Sequence, residues 1–426
     1  MRLLLDIAYA VAGLATSPFW IVRMARSGKL RTDWAARFGR VRPPLPPPAR
    51  PRVLLHAVSV GEVNAIRLLV DALTREPDGP EVVVATTTDT GFARATALFG
   101  ERHRVVRYPF DFSFAARAVL DAVRPALVAL VELEVWPNFT SLCAERGIAL
   151  AVVNGRLSAR SFRRYLRFRP FVVPSFARLD AVSAQTRDYA ERFAALGVER
   201  GRVLVGGTMK WDTAQIADEV PGADDLAKAL GIDRGRPIVV AGSTAPGEET
   251  LIASALPPGA QLIVAPRKPE WFADAAKALP GAVRRTSAQD GAGLGGSATG
   301  RYVLDTIGEL RKAYALADVV VVGRTFGALH GSDMMEPVAL GKATVVGPRT
   351  DDFAETMEAL RDGGGVVEVD AANLPRTLAR LLASPEERAA LAERGRAVIR
   401  SRQGSTQRNA ELILSMLGVA PRGRGA

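Results

Sequence analysis

Short runs of Val, Leu, Ile and Ala, each followed by a helix-patterned stretch, recur along the chain and constrain its fold more than any other feature. The first series is VLLHAV (53–58), EVVVATT (81–87), ALVALVE (126–132), IALAVVN (148–154), DAVSAQ (180–185) and RVLVGG (202–207). The second is PIVVAGS (237–243), AQLIVAP (260–266), DVVVVG (318–323), KATVVG (342–347) and GGVVEV (364–369). Such runs read as strands covered on both faces, and their alternation with helical patterns implies parallel βα units. WDTAQIADEVPGADD, from Trp211, carries no strand pattern and separates the two series. The expected fold class is therefore α/β. It has two doubly wound domains, 32–210 and 211–426, with a cleft between them and an N-terminal segment 1–31 ahead. Ligands in such sheets sit outside the carboxyl ends of the strands.

The N-terminal segment is apolar from Leu3 to Val22, about one bilayer crossing, but contains Asp6 and Pro18 and is followed by Arg23, Arg26, Lys29 and Arg31. Basic residues after the apolar stretch disfavour a cleaved signal peptide. Two readings stay open: a single anchor with the body on the cytoplasmic side, or a helix lying at the interface with Trp20 near the headgroups. The balance of 56 Lys+Arg against 45 Asp+Glu, net +11, favours an anionic partner such as phosphorylated lipid, nucleotide or nucleic acid without choosing among them. A single cysteine, Cys143, excludes an internal disulfide, and three histidines exclude a His-rich metal site. The segment AQDGAGLGGSATG (288–300) reads as a flexible loop.

Candidate chemistry sits at strand ends. In HAVSVGE (56–62), Ser59, Gly61 and Glu62 occupy a strand-to-helix corner. Glycine allows close approach of another molecule, and the carboxylate is either a general base or a helix-start residue satisfying orphan amides. In ELEVWPN (132–138), Glu132 and Glu134 share a face if extended, positioning a hydroxylated ligand or a cation, or serving structure alone. NGRLSARSFRRYLRFR (154–169) places Arg156, Arg160, Arg163, Arg164, Arg167 and Arg169 together. That surface suits phosphate or an anionic membrane face. In AGSTAPGEE (241–249), backbone amides cradle phosphate or simply begin a helix, and Arg267 and Lys268 follow the next strand. GRTFGALHGSDMMEP (323–337) leads into a helix near Asp333, with Glu336 suited to ribose hydroxyls. Neither a Walker motif nor GxGxxG is present.

In this order the pieces resemble the Kdo transferases, bacterial enzymes that add 3-deoxy-D-manno-octulosonic acid (Kdo) from CMP-Kdo to a lipid A precursor. The matching residues are HAVSVGE, TTTDTG (86–91), ELEVWPN, NGRLSARS, VGGTMKWD (205–212), AGST with GEE, DTIGEL (305–310), Tyr314 with ADVVVVG, and MEP (335–337). The resemblance implies a GT-B fold, inversion at the anomeric carbon, no catalytic metal and no cofactor. It casts Glu62 as general base. Ser59, Gly61, Arg156, Arg160 and Lys210 fall on the side of a phosphorylated lipid A precursor. Gly242, Ser243, Thr244, Arg267, Lys268, Gly331, Ser332, Asp333 and Glu336 fall on the CMP-Kdo side. It further implies the inner membrane, with no nucleic-acid partner. Three positions depart from the family pattern: Ala245 for the histidine of GSTH, Lys268 for that of PRH, and Ser332-Asp333 for the HN of GGHN. His330 is either a shifted substitute or a surface histidine. Two other readings are a GT-B enzyme with a different sugar nucleotide and a catalytically silent glycolipid-binding protein.

Overall fold

The structure, a computed structural model, describes residues 2–26, 28–75, 78–287 and 297–419. The chain forms two compact units, one running to Thr213 and resuming at Gln403, the other Ala214–Arg402. In the first unit, β1 (Arg52–His56), β2 (Glu81–Thr86), β3 (Arg104–Arg107), β4 (Leu127–Val131), β5 (Ala149–Gly155), β6 (Ala181–Ala184) and β7 (Val203–Val205) form one parallel sheet. Its order is β3-β2-β1-β4-β5-β6-β7. Every residue of β1 and β4 is buried, which the apolar runs Val53–Leu55 and Leu127–Val131 anticipate, while Arg52 and His56 are buried at the two ends of β1. Strand order reverses between β1 and β4, whose carboxyl ends carry HAVSVGE and ELEVWPN, the switch point at which such sheets bind ligands.

The second unit repeats the plan with β8 (Ile238–Thr244), β9 (Gln261–Pro266), β10 (Val283–Arg284), β11 (Arg301–Val303), β12 (Val319–Val322), β13 (Ala343–Val346) and β14 (Val367–Glu368). The order is β10-β11-β9-β8-β12-β13-β14, again parallel, with the reversal between β8 and β12. Every apolar run read as a strand is a strand. Strands β3, β10 and β11 are additional; they are short, flanked by arginines, and lie at or beside a sheet edge where burial demands less apolar sequence.

The chain does not divide once, as the sequence suggested. The helix Ser405–Met416 belongs to the first unit, because Ala410, Ile413 and Leu414 join the core of Val53, Leu55, Leu69 and Val131. Asp212 fixes the return by accepting from the amides of Gly404 and Thr406. At the N-terminus, the helices Arg2–Ala15 and Ser17–Arg26 are bent by 63° to each other, and among the described residues no single helix is long and apolar enough to cross a membrane. Residues 288–296 of the expected flexible loop lie outside the described residues.

Candidate active site

In the first unit, Ser59 ends the turn after β1 and its hydroxyl accepts from the Glu62 amide at 3.4 Å, capping the helix Val60–Ala65. The Glu62 carboxylate turns back, Oε2 accepting from the Val58 amide at 2.8 Å and Oε1 from the Ser59 hydroxyl at 3.0 Å. This reciprocal arrangement is a variant of the capping box. Burial nevertheless pushes the Glu62 carboxyl up to about 7, with Glu132 and Glu134 adding repulsion against the bonds that favour the anion. The same carboxylate thus holds the helix start and binds a proton near neutrality. A side chain at Gly61 meets nothing closer than Ser59 Oγ at 3.8 Å, so packing leaves that position open. At Gly91 a Cβ comes within 2.9 Å of the Val58 carbonyl, so glycine there lets the Asp89–Phe99 helix approach the corner. His56 is structural: fully buried, stacked on Tyr108 at 3.5 Å, bonded through Nε2 to Thr87 and held neutral by burial, which lowers its pKa to about 3.

ELEVWPN is not extended. Glu132 takes a left-handed conformation, φ 64°, its amide donating to the Val153 carbonyl and its carbonyl accepting from the Arg156 amide. Such a backbone is strained for glutamate, and strain of this kind collects at functional sites. The turn leaves both carboxylates electrostatically coupled to Glu62. Burial raises the proton affinity of each, opposed at Glu132 by Arg156 and at Glu134 by a 2.7 Å bond from the Trp136 indole. Asn154, also left-handed at φ 53°, accepts from the Met209 amide at 3.0 Å and so places the neighbouring, exposed Lys210. Arg156 is exposed beyond the end of β5, and Arg160 lies on the Ala159–Arg167 helix, whose inner face packs Phe162 and Tyr165.

In the second unit the strand ends are again strained, at Ser243 (φ 58°) and Arg324 (φ 61°). Gly242 is required by contact, since a Cβ there would lie 2.1 Å from the Tyr314 hydroxyl. The AGSTAPGEE turn differs from a phosphate cradle. Buried Glu248 accepts from the Ala245, Arg324 and Phe326 amides at 2.6 to 3.0 Å, and Glu249 from the Thr244 hydroxyl and the Gly247 amide. These amides are spent internally, because the carboxylates curl back onto the turn. Arg267 and Lys268 are exposed; Lys268 lies 3.4 Å from Glu270 and over the Trp271 ring. Gly331 is buried with φ 96°, and Ser332 is buried beside it. Asp333 Oδ1 accepts from the Met335 amide at 2.9 Å, opening the Met335–Ala339 helix. Glu336 is half-buried and 3.7 Å from Arg311; burial raises its proton affinity despite that partner.

Residues 32–213 match the family model described as 3-Deoxy-D-manno-octulosonic-acid transferase (kdotransferase). The chain is 32% identical to a 3-deoxy-D-manno-octulosonic acid transferase of Bordetella pertussis over 96% of its own length and 98% of the relative's. The chain belongs to the Kdo transferase family. It is a glycosyltransferase. A solved C-terminal CMP-Kdo binding domain of WaaA from Acinetobacter baumannii is 30% identical, covering 41% of this chain and 95% of its own, with a TM-score of 0.38. A glycosyltransferase from Rickettsia africae, 10% identical, covers 87% of this chain and all of its own with a TM-score of 0.53, in keeping with a GT-B fold.

Within this Kdo transferase family member, Ala245, His330 and Asp333, at and beside the departures from the family pattern, have distinct settings. Ala245 is buried and its amide is held by Glu248, so a small side chain fits the turn. His330 is exposed and 3.1 Å from Asp351, the surface alternative rather than a group buried beside Ser332. Asp333 spends one carboxylate oxygen on a helix amide, as a neutral residue could also do. Sequence reasoning missed Asn154 and Glu248 as organisers. Both belong to motifs it quoted, and their signal is a hydrogen-bonding side chain at a strand end.

Proposed function

We propose that this enzyme transfers Kdo from CMP-Kdo to a hydroxyl of a phosphorylated lipid A precursor, inverting the anomeric centre, at the cytoplasmic face of a bacterial inner membrane. The observation that carries the reading is Glu62, a half-buried carboxylate whose proton affinity is raised to about 7 at the switch point of the first sheet. Glu62 takes the proton of the acceptor hydroxyl, the oxygen bonds to the Kdo anomeric carbon, and the bond from that carbon to the phosphate oxygen of CMP breaks with its electrons leaving on CMP. A base near the operating pH is the effective one for this transfer. Lys210, in the first unit, balances negative charge on the acceptor side, and Arg267, in the second, pairs with the phosphate of the donor, a positive group of the kind that stabilises a departing phosphate without a metal. Ser59 and Gly61 shape the acceptor side, and Arg156 and Arg160 meet its phosphates. Gly242, Ser243, Thr244, Gly331 and Ser332 shape the nucleotide site, with Lys268, Asp333 and Glu336 at its rim.

The helix Arg2–Ala15 is about 21 Å long at 1.5 Å per residue, against roughly 30 Å of hydrocarbon. Its exposed Leu3, Leu4, Ile7, Val11 and Leu14 favour lying in the interface over spanning it. The reaction is tested by mass spectrometry of a lipid A precursor incubated with enzyme and CMP-Kdo, with UDP- and GDP-sugars in parallel. Addition of the Kdo mass with CMP-Kdo alone supports the reading. Turnover of another donor instead supports a different sugar nucleotide.

A further inference from the structure

The N-terminal helix does more than expose an apolar face. Asp6, on its inner side, accepts from the Ser113 amide at 2.8 Å, from the Ser113 hydroxyl and from Asn138 Nδ2 at 2.9 Å. One turn on, the Tyr9 hydroxyl donates to Asp111 Oδ2 at 3.1 Å, and the Tyr9 ring meets Phe112 edge-on. Asp111 in turn accepts from the amides of Asn138 (3.0 Å) and Phe139 (2.8 Å), and the Asp111 carbonyl accepts from Asn138 Nδ2. Asn138 and Phe139 are the second and third residues of the Pro137–Glu145 helix. Directly before that helix run Glu132 to Trp136, the turn whose two carboxylates act on Glu62. Two aspartates and a tyrosine therefore join a helix with an exposed apolar face to the amino end of the helix that follows this turn.

We propose that Asp6, Tyr9 and Asp111 are positioning residues for the transfer reaction, a latch by which the N-terminal helix holds the Glu132–Trp136 turn against the base Glu62. The inference rests on the reading of Glu62 as general base. None of the three touches Glu62; they act through the turn. The ionisable groups facing Glu62 are Glu132 and Glu134, and Arg156 faces Glu132. Those facing Asp111 are Asp6, Tyr9 and Tyr108. Burial pushes Asp111 up to about 6 although two amides and Tyr9 favour its anion, so the latch weakens on acidification toward that value.

The consequence has a sign. Glu132 and Glu134 raise the proton affinity of Glu62, so a latch that lets the turn drift lowers it, and the acid limb of the rate profile moves to lower pH. The test uses the full chain with a lipid A precursor in vesicles and CMP-Kdo, and reads the acid-limb midpoint of kcat/KM. Tyr9→Phe and Asp6→Asn remove latch bonds while keeping shape; Glu134→Gln removes one repelling charge directly and calibrates the shift. The expected result is a downward move of ~0.5 pH unit or more in Tyr9→Phe and Asp6→Asn, in the direction of Glu134→Gln. A midpoint unmoved in both latch variants while Glu134→Gln shifts it overturns the latch and leaves the base reading standing. Full turnover in Glu62→Gln overturns the base reading itself. A purely structural role lowers thermal stability and the amount of active enzyme without moving the midpoint.

Discussion

Glu62 is bound at both oxygens by its own helix start, and it still carries a proton affinity near 7 because burial outweighs those bonds. The cost falls on stability, in a calculable direction. A carboxyl raised in the folded state favours folding below its ordinary pKa of 4.5, and that contribution is lost as pH rises through about 7. Glu62→Gln cannot ionise, so its melting temperature relative to the parent should rise between pH 5 and pH 8, while turnover falls by about 10²–10⁴ for loss of the base. Paired melts at the two pH values check this; a variant whose melting temperature falls relative to the parent from pH 5 to pH 8 contradicts the raised proton affinity. The sequence already held both roles of Glu62, since S-x-x-E at a strand end is a capping signal and a carboxylate site at once. It did not disclose the Glu132 turn. Glutamate rarely takes φ near 64°, and the bonds to Val153 and Arg156 that hold its backbone there are not visible in the residue order.

At the scale of elements, the Glu248–Ser254 helix does work that its sequence concealed. The turn's amides read as a phosphate cradle or a helix start; here Glu248 reaches past its helix and binds the loop after β12 through the Arg324 and Phe326 amides. The two strand ends flanking the switch point of the second sheet are thereby tied together. Glu248→Ala leaves one buried and two part-buried amides without this acceptor, and at 1–3 kcal/mol for a fully buried group the loss should be about 2 kcal/mol or more. Chemical denaturation followed by fluorescence measures it. A loss under about 1 kcal/mol would show that water replaces the carboxylate without penalty. The strands were legible for a contrasting reason: buried parallel strands such as VVVV and LVALV must be apolar throughout. Arg104–Arg107 pairs on one side only, needs no such run, and went unread.

For the whole molecule, fold class and the two sheets followed from pattern, but the path of the chain did not. No periodicity in Ser405–Met416 tells which sheet its apolar face will cover; that choice depends on complementarity with Leu69, Leu73 and Met209 and on Asp212. The N-terminal helices pose the same problem in reverse, because an apolar N-terminal stretch reads alike whether it spans, lies flat or is buried. Its geometry separates these: Asp6 and Tyr9 face the protein, while Leu3, Ile7, Val11 and Leu14 remain exposed. Full burial of one such side chain is worth about 1.5–3 kcal/mol, and every 1.4 kcal/mol is tenfold in affinity. Replacing Ile7 and Val11 by Glu should therefore weaken binding to anionic vesicles by roughly 100-fold or more, and added salt should not restore it. Co-flotation with liposomes at low and high salt reads both effects. If the double variant floats like the parent at low salt and both are released by high salt, the attachment is carried by the arginines of Ala159–Arg167, and the exposed N-terminal leucines face something other than lipid.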